Sequence, residues 1–410
     1  MSKIISSRLD GVSESATLNL NAKVQEMKKN GIDVVNLSAG EPDFNPPEEA
    51  KIAVIDALNR NLSKYTPAAG MQELKSLIAE KKNRQQSNNK KMWTHSDVVV
   101  SNGGKQALIN TFFALINPGD AVIIPSPFWI SYPEMVKLAG GVPVIIKTKF
   151  EDGFKLTPSQ LKDTIERTEN LKLIVLTSPN NPTGSMYSKN EYKSLGNVLL
   201  EKGKSEDIFI ISDEIYDRII LSDEKFCSFL EACPELQERT ITVNGLSKSA
   251  AMTGWRLGWS VANSTITKAI TTIQSQSSSG VNTLSQCAAI SALKLPESSF
   301  SWQLDHYKKR KDLAISILSK VYGLKILNPL GAFYLFIGIE QFLYELEDSI
   351  LFSEDLLKTS NVAVVPGTPF GEDKFIRISF ATDEKTIIEG CERLVKFLRM
   401  RELKIETKKM

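Results

Sequence analysis

The chain has 410 residues, 42% of them hydrophobic and 24% charged, with a formal net charge of +2. Such a length supports a large core divided over two or three domains, and so even a charge balance offers no field that would draw nucleic acid. Four scattered cysteines and only two histidines argue against a disulfide framework, a metal site and a histidine-based hydrolase, and they fit a reducing cytoplasm.

The opening "MSKIISSRLDG" lacks the apolar core of a signal peptide, and no apolar run approaches the length of a membrane span. Between residues 97 and 260, short β-branched runs recur between helix-like segments: "DVVVS", "DAVIIPSP", "VPVIIKT", "LKLIVLTSP", "IFIISDEIY", "TITVNG" and "LGWSVA". Their continuous apolarity predicts strands buried on both faces, hence an α/β domain with a mostly parallel sheet. Helices such as "KQALINTFFALI", stopped by "NPGD", fill the crossovers. The run "NRQQSNNKK" reads as a polar loop. From about residue 300 the pattern changes to a long charged helix, then "GAFYLFIGI", "VAVVPGT", the alternating "FIRISFA" and a final amphipathic helix near "IIEGCERLVKFL". This predicts a smaller α+β domain over 301–410, a large domain over 49–300, and an N-terminal segment, 1–48, that joins the small domain. The basic end "LRMRELKIETKKM" reads as a solvated helix and tail.

Open α/β sheets bind ligands outside the carboxyl ends of their strands, and the unusual residues of this sequence fall at those ends. Asn102, Gly103 and Gly104 follow the first run and open a helix, Trp129 follows the second, Asn181 the fourth, Asp213 ends the fifth, and Ser247 and Lys248 follow the sixth. Each has an ordinary reading in isolation: a turn, a core ring, a helix cap, a surface lysine. Neither a Walker loop nor a GxGxxG fingerprint is present. Taken together, they comprise a lysine able to form a Schiff base, Arg256 and a glycine-rich helix start for a phosphate, a ring for stacking and a carboxylate for a pyridinium. Those are the parts that a pyridoxal phosphate site requires. Arg377, between apolar neighbours in "FIRISFA", reads as a surface-strand arginine or as a bidentate carboxylate clamp.

"SPNNPTG", "SDEIYDR", "SKSAAMTGWRLGW" and "FIRISFA", in this order, resemble fold-type-I aminotransferases of the aspartate aminotransferase class. "SAGEPDF", "KYTPAAG", "SNGGKQAL", "PFWISYPEMV" and "GAFYLF" are similar to its bacterial and plant subgroup, and the resemblance covers nearly the whole chain. It implies the fold-type-I architecture, pyridoxal 5'-phosphate as cofactor, and ping-pong transfer of an amino group from an L-amino acid, foremost aspartate, to 2-oxoglutarate. Prephenate is the alternative within the subgroup. The resemblance also implies residue roles. Lys248 holds the cofactor and acts as general base; Asp213 pairs with the ring nitrogen; Tyr216 and Asn181 bond the phenolic oxygen. Arg256, Gly103, Gly104 and Ser247 hold the phosphate, together with Tyr65 from the other subunit of a homodimer. Trp129 stacks on the ring, Arg377 and Gly40 receive the α-carboxylate, and Lys105 serves either the phosphate or a distal carboxylate. Where several relatives have a phosphate-binding serine, this chain has Gly245. A β-lyase or a cyclopropane-forming synthase would share Lys248, Asp213 and Arg377. The aminotransferase-like module of a transcriptional regulator would need a DNA-binding domain, and the segment before "GIDVVNLSAG" is too short for one.

Overall fold

The structure, a computed structural model, describes residues 4–85, 91–202 and 208–409. Seven strands form the central sheet: β1 (Val98–Ser101), β2 (Ala121–Ser126), β3 (Val142–Lys147), β4 (Leu171–Thr177), β5 (Phe209–Asp213), β6 (Thr240–Gly245) and β7 (Gly258–Val261). They are the seven apolar runs of the sequence. Their spatial order is β1-β7-β6-β5-β4-β2-β3. All neighbours are parallel except β7, which runs antiparallel to both β1 and β6. Strands β1, β5 and β6 are buried nearly throughout, as continuous apolarity requires. Strand β3 departs from that expectation because it is an edge: Val142 is 51% exposed.

A four-stranded antiparallel sheet in the C-terminal part has the order β10-β11-β9-β8, where β8 is Lys325–Ile326, β9 Tyr334–Gly338, β10 Val365–Pro366 and β11 Phe375–Ser379. The run "VAVVPGT" is split by its two partners. Val362–Ala363 pairs in parallel with Val35–Asn36, while Val365–Pro366 joins β11. The N-terminal helix Ala16–Lys29 adds Val24 to a small apolar cluster with Val34, Leu357 and Ala363. This is how the two ends of the chain come together.

The C-terminal helix runs unbroken over Glu384–Lys409, and the solvated reading of its basic end fails at Arg401. That guanidinium is 3% exposed. It pairs with Glu347 at 2.6 Å and Asp355 at 2.7 Å, donates to the Phe342 carbonyl, and lies over the rings of Tyr344, Phe352 and Phe397. Of the "NRQQSNNKK" loop, residues 83–85 extend the helix Gln72–Gln85, and 86–90 lie outside the described residues.

That same helix pins the end of β5 from below. Lys82, 4% exposed, donates to Glu214 at 2.6 Å and to Ser228 at 2.9 Å, while Lys81 bonds Asp217 at 2.9 Å. Glu214 also accepts from Ser228 and Ser212, so its charge is fully engaged. Removing one partner of a buried pair leaves the other charge unmet, which typically costs about 3–5 kcal/mol. Lys82→Met should therefore lower unfolding stability by roughly that amount in denaturant melts. A loss below about 1 kcal/mol would mean that water reaches Glu214.

Candidate active site

Five segments at the carboxyl ends of strands in the large sheet, together with the N-terminal segment and β11, enclose a cleft of about 370 Å³. Eleven of the thirteen candidate residues line it: Gly40, Gly104, Lys105, Trp129, Asn181, Asp213, Tyr216, Ser247, Lys248, Arg256 and Arg377. Gly103 lies immediately beneath it. Its φ is +85°, a region that favours glycine, and a Cβ there would sit 2.8 Å from the Arg256 guanidinium. Tyr65 is the exception, at 99% exposure and away from the cleft of its own chain.

Lys248 follows the buried strand β6 and points back across the cleft, where its Nζ donates to the Gly40 carbonyl at 2.5 Å. Burial lowers its pKa to about 8, with Glu41 opposing the shift and Arg377 and Arg256 adding to it. Asp213 ends β5 and is 5% exposed. Its Oδ2 accepts from the Tyr132 hydroxyl at 2.7 Å and its Oδ1 from the Ile215 amide at 3.1 Å. Burial raises this carboxyl to about 6, against the lowering effect of those two bonds. Its hydrogen-bond partners among the described residues are thus neutral, and a cation is the partner that would restore its charge.

Arg377 lies on the middle strand β11 at 2% exposure, which excludes the surface-strand reading. One terminal nitrogen donates to Asn181 Oδ1 and the other to the Ser38 carbonyl, both at 2.9 Å. The guanidinium stacks 4.3 Å from the Tyr334 ring centre and 5.2 Å from that of Phe370. Its Nε is buried without a partner among the described residues. An arginine so enclosed, with no carboxylate beside it, is prepared for an anion. Arg256, held in the left-handed region at φ +53°, donates to the carbonyls of Thr253 and Asn102. Beside it the helix Gly104–Leu115 begins, and the exposed amides of its first turn favour a phosphate. Close packing explains Gly245: a Cβ there would lie 2.9 Å from the Leu257 carbonyl.

Trp129 projects into the cleft from the turn after β2. It meets the Tyr132 ring edge-on at 5.4 Å, and Lys105 Nζ lies 5.0 Å from its own ring centre. The Tyr216 hydroxyl is 2.9 Å from that of Tyr334, and burial raises both phenols above their ordinary range. Several participants escaped the sequence reading. Tyr132, also bonded to Thr177 at 2.7 Å, orients Asp213; Tyr334 faces Arg377; Ser15, Thr17 and Leu18 bring the start of the N-terminal helix into the wall. Tyr132 sits three positions after Trp129 in "PFWISYPEMV", a spacing that the turn leading into the short helix Ser131–Leu138 closes, with the Tyr132 amide on the Trp129 carbonyl at 3.0 Å.

A model of the aminotransferases of class I and II matches residues 32–394. The chain belongs to that family. An aspartate/prephenate aminotransferase of Aquifex aeolicus, so named as probable, is 40% identical over 97% of this chain and 99% of its own. The aspartate aminotransferase of Bacillus sp. strain YM-2 is 39% identical over 97% and 100%. Among solved structures, the aspartate aminotransferase of Thermus thermophilus with maleate superposes with a TM-score of 0.89 at 38% identity, covering 96% of this chain and 99% of that one. The Rhizobium meliloti enzyme gives 0.90 at 36%, covering 96% and 98%. The fold is that of the fold-type-I aminotransferases, and the aminotransferase uses pyridoxal 5'-phosphate. Its substrates are small amino and oxo acids. The residues present fit that cofactor: a buried carboxylate with no cationic partner among the described residues, an arginine bonded to two carbonyls beside a helix start, and a lysine of lowered pKa. No helix among the described residues is long and apolar enough to cross a membrane.

Proposed function

We propose that this aminotransferase takes aspartate as amino donor and 2-oxoglutarate as acceptor, in a ping-pong cycle run in the cytoplasm by a homodimer with shared sites. The observation that carries the reading is the surplus of cations in the cleft. Of the four that line it, Lys248 and Arg256 are taken up by the cofactor in this reading, which leaves Arg377, with its unmet buried Nε, and Lys105. A dicarboxylate offers one group to each. The Thermus thermophilus relative was solved with maleate, itself a dicarboxylate.

In this reading Arg377 receives the α-carboxylate, with Gly40 lining the same end. Pyridoxal phosphate supplies an electron-accepting ring that stabilises negative charge at the substrate's Cα. Asp213 holds the ring nitrogen protonated, and Tyr132 and Ile215 keep its carboxylate from turning away. Asn181 spends its carbonyl oxygen on Arg377, and its NH₂ would remain to donate to the phenolic oxygen alongside Tyr216. Gly103, Gly104, Ser247 and Arg256 hold the phosphate, with Tyr65 of the partner subunit completing the cup, and Trp129 covers the ring face. Lys248 would hold the cofactor covalently and, once freed, its amine would serve as the general base that takes the substrate's Cα proton and as the acid that returns it. The division into 1–48, 49–300 and 301–410 belongs to the same reading, with the cleft at the meeting of all three parts.

Prephenate as amino acceptor is the second reading, favoured by the Aquifex aeolicus relative's name. A steady-state panel of aspartate and neutral donors against 2-oxoglutarate, oxaloacetate and prephenate separates the two. Within that panel, Lys105→Leu should lower kcat/KM for aspartate by roughly one to two powers of ten, as for loss of one charged hydrogen bond. Phenylalanine should be affected much less. An equal fall for both donors, with weaker cofactor binding, would assign Lys105 to the phosphate.

A further inference from the structure

The segment Lys64–Met71 is fixed at many points. Gln286, fully buried, donates from Nε2 to Thr66 Oγ1 at 2.9 Å and to the Val281 carbonyl at 2.8 Å, and its Oε1 accepts from the Met71 amide at 2.8 Å. Gln274, also fully buried, donates to the carbonyls of Ala68 and Val100, and accepts from Ser101 Oγ and Asn110 Nδ2. Thr283 bonds the Lys64 carbonyl at 2.8 Å, and the Val100 amide bonds that of Ala69 at 3.0 Å. The chain is packed as tightly as it is bonded, since a Cβ on Gly280 would lie 2.7 Å from the Thr66 carbonyl.

Near the start of this fixed segment stands Tyr65, 99% exposed, with no hydrogen bond or ring contact among the described residues. Ordering a loop costs backbone entropy at every residue it fixes. Two buried glutamines with every amide hydrogen engaged form a demanding network, because any unmet group would cost more than the bond contributes. Such bracing beside a side chain left almost wholly exposed, with no partner among the described residues, suits a contact made outside its own chain.

We propose that Gln286 and Gln274 are positioning residues that clamp Lys64–Met71, Gln286 at Thr66 and Met71 and Gln274 at Ala68 between them, so that Tyr65 reaches the partner subunit's cofactor phosphate already oriented. The proposal rests on the reading of Tyr65 given above. Its distinguishing consequence is that Gln286 acts on the neighbouring site and not on the site of its own chain.

Two hybrid dimers, assembled from differently tagged chains, test this. In each, one chain carries Lys248→Ala, so visible absorption on adding pyridoxal phosphate reports only the site that keeps Lys248. With Gln286→Met placed in the Lys248→Ala chain, the reporting site receives the loosened loop. Its dissociation constant for pyridoxal phosphate should rise about tenfold, as for a weakened bond to a charged group. With Gln286→Met in the chain that keeps Lys248, the reporting site receives an intact loop, and its affinity should match that of the unaltered enzyme. Equal weakening in both hybrids, or none in the first, overturns the proposal. Thr66→Val, which removes only the hydroxyl that Gln286 bonds, repeats the test with a milder change and should give the same asymmetry. Tyr65→Phe in the Lys248→Ala chain separates the two levels. If it weakens the reporting site while the Gln286 and Thr66 variants do not, the clamp fails and the Tyr65 reading stands. If it changes nothing, both fall.

Discussion

Lys248→Ala should yield a folded protein that gains no visible absorption with pyridoxal phosphate and turns over roughly 10⁴-fold or more slowly, because anchor and general base are lost together. The other lysine lining the cleft is placed differently: Lys248 reaches the Gly40 carbonyl, while Lys105 sits against Trp129. Lowering of the Lys248 pKa to about 8 adds a pH signature. At pH 7 about one amine in ten is then neutral, against about one in 3,000 for an ordinary lysine. Only the neutral amine attacks an aldehyde. In cofactor-free protein, the rate at which absorption develops should therefore rise with pH and level off above about 8, instead of climbing past 10. The sign for stability follows from the same shift. Below about pH 8 the fold bears the cost of a buried ammonium, and that cost fades between there and 10.5, where the unfolded chain still holds the proton. Visible absorption in the alanine variant, or a rate still climbing at pH 10, would remove Lys248 from the role.

Much of this architecture was legible because buried parallel strands carry their burial in composition. All seven apolar runs became strands, and Asp213 and Lys248 could be placed at strand ends with no knowledge of the sheet order. What escaped is pairing at long range. Nothing in the helix Gln72–Gln85 announces that Lys82 meets Glu214, 132 positions away, nor that Gln286 bonds Thr66 across 220. Arg377 shows the same limit from another side. Alternation in "FIRISFA" predicts one wet face, but β11 is flanked by β9 and β10, and its arginine turns onto Asn181 and Ser38 from segments the pattern does not connect. Arg401 failed for the converse reason. A basic helical end looks solvated until Glu347, Asp355 and three aromatic rings close around it. The edge position of β3 likewise depends on sheet order, which a single run of residues does not encode.

Asp213→Asn should slow removal of the Cα proton by about 10²-fold or more, the usual consequence of losing one well-placed electrostatic contact, while the cofactor stays bound. Asparagine is the informative replacement. It keeps the volume of the buried side chain and an oxygen to accept from the Ile215 amide, while its NH₂ can donate to a Tyr132 hydroxyl whose own proton turns to Thr177, so the turn after β5 retains its support. What disappears is the negative charge. That charge is costly in the cofactor-free protein, where burial lifts the carboxyl to about 6 and its nearest donors are a phenol and a backbone amide. A protonated ring nitrogen would offset the cost, and in return the carboxylate would hold that proton in place while electrons move from Cα into the ring. Phosphate contacts at Arg256 and the Gly104–Leu115 helix start lie apart from this pair, so affinity for the cofactor should change far less than rate. Single-turnover exchange of the substrate's Cα hydrogen with solvent deuterium measures the first quantity, and titration of cofactor-free protein measures the second. Near-normal exchange in Asp213→Asn would reduce Asp213 to an anchor for the Ile215 amide, and the ring nitrogen would then need another partner in this cleft.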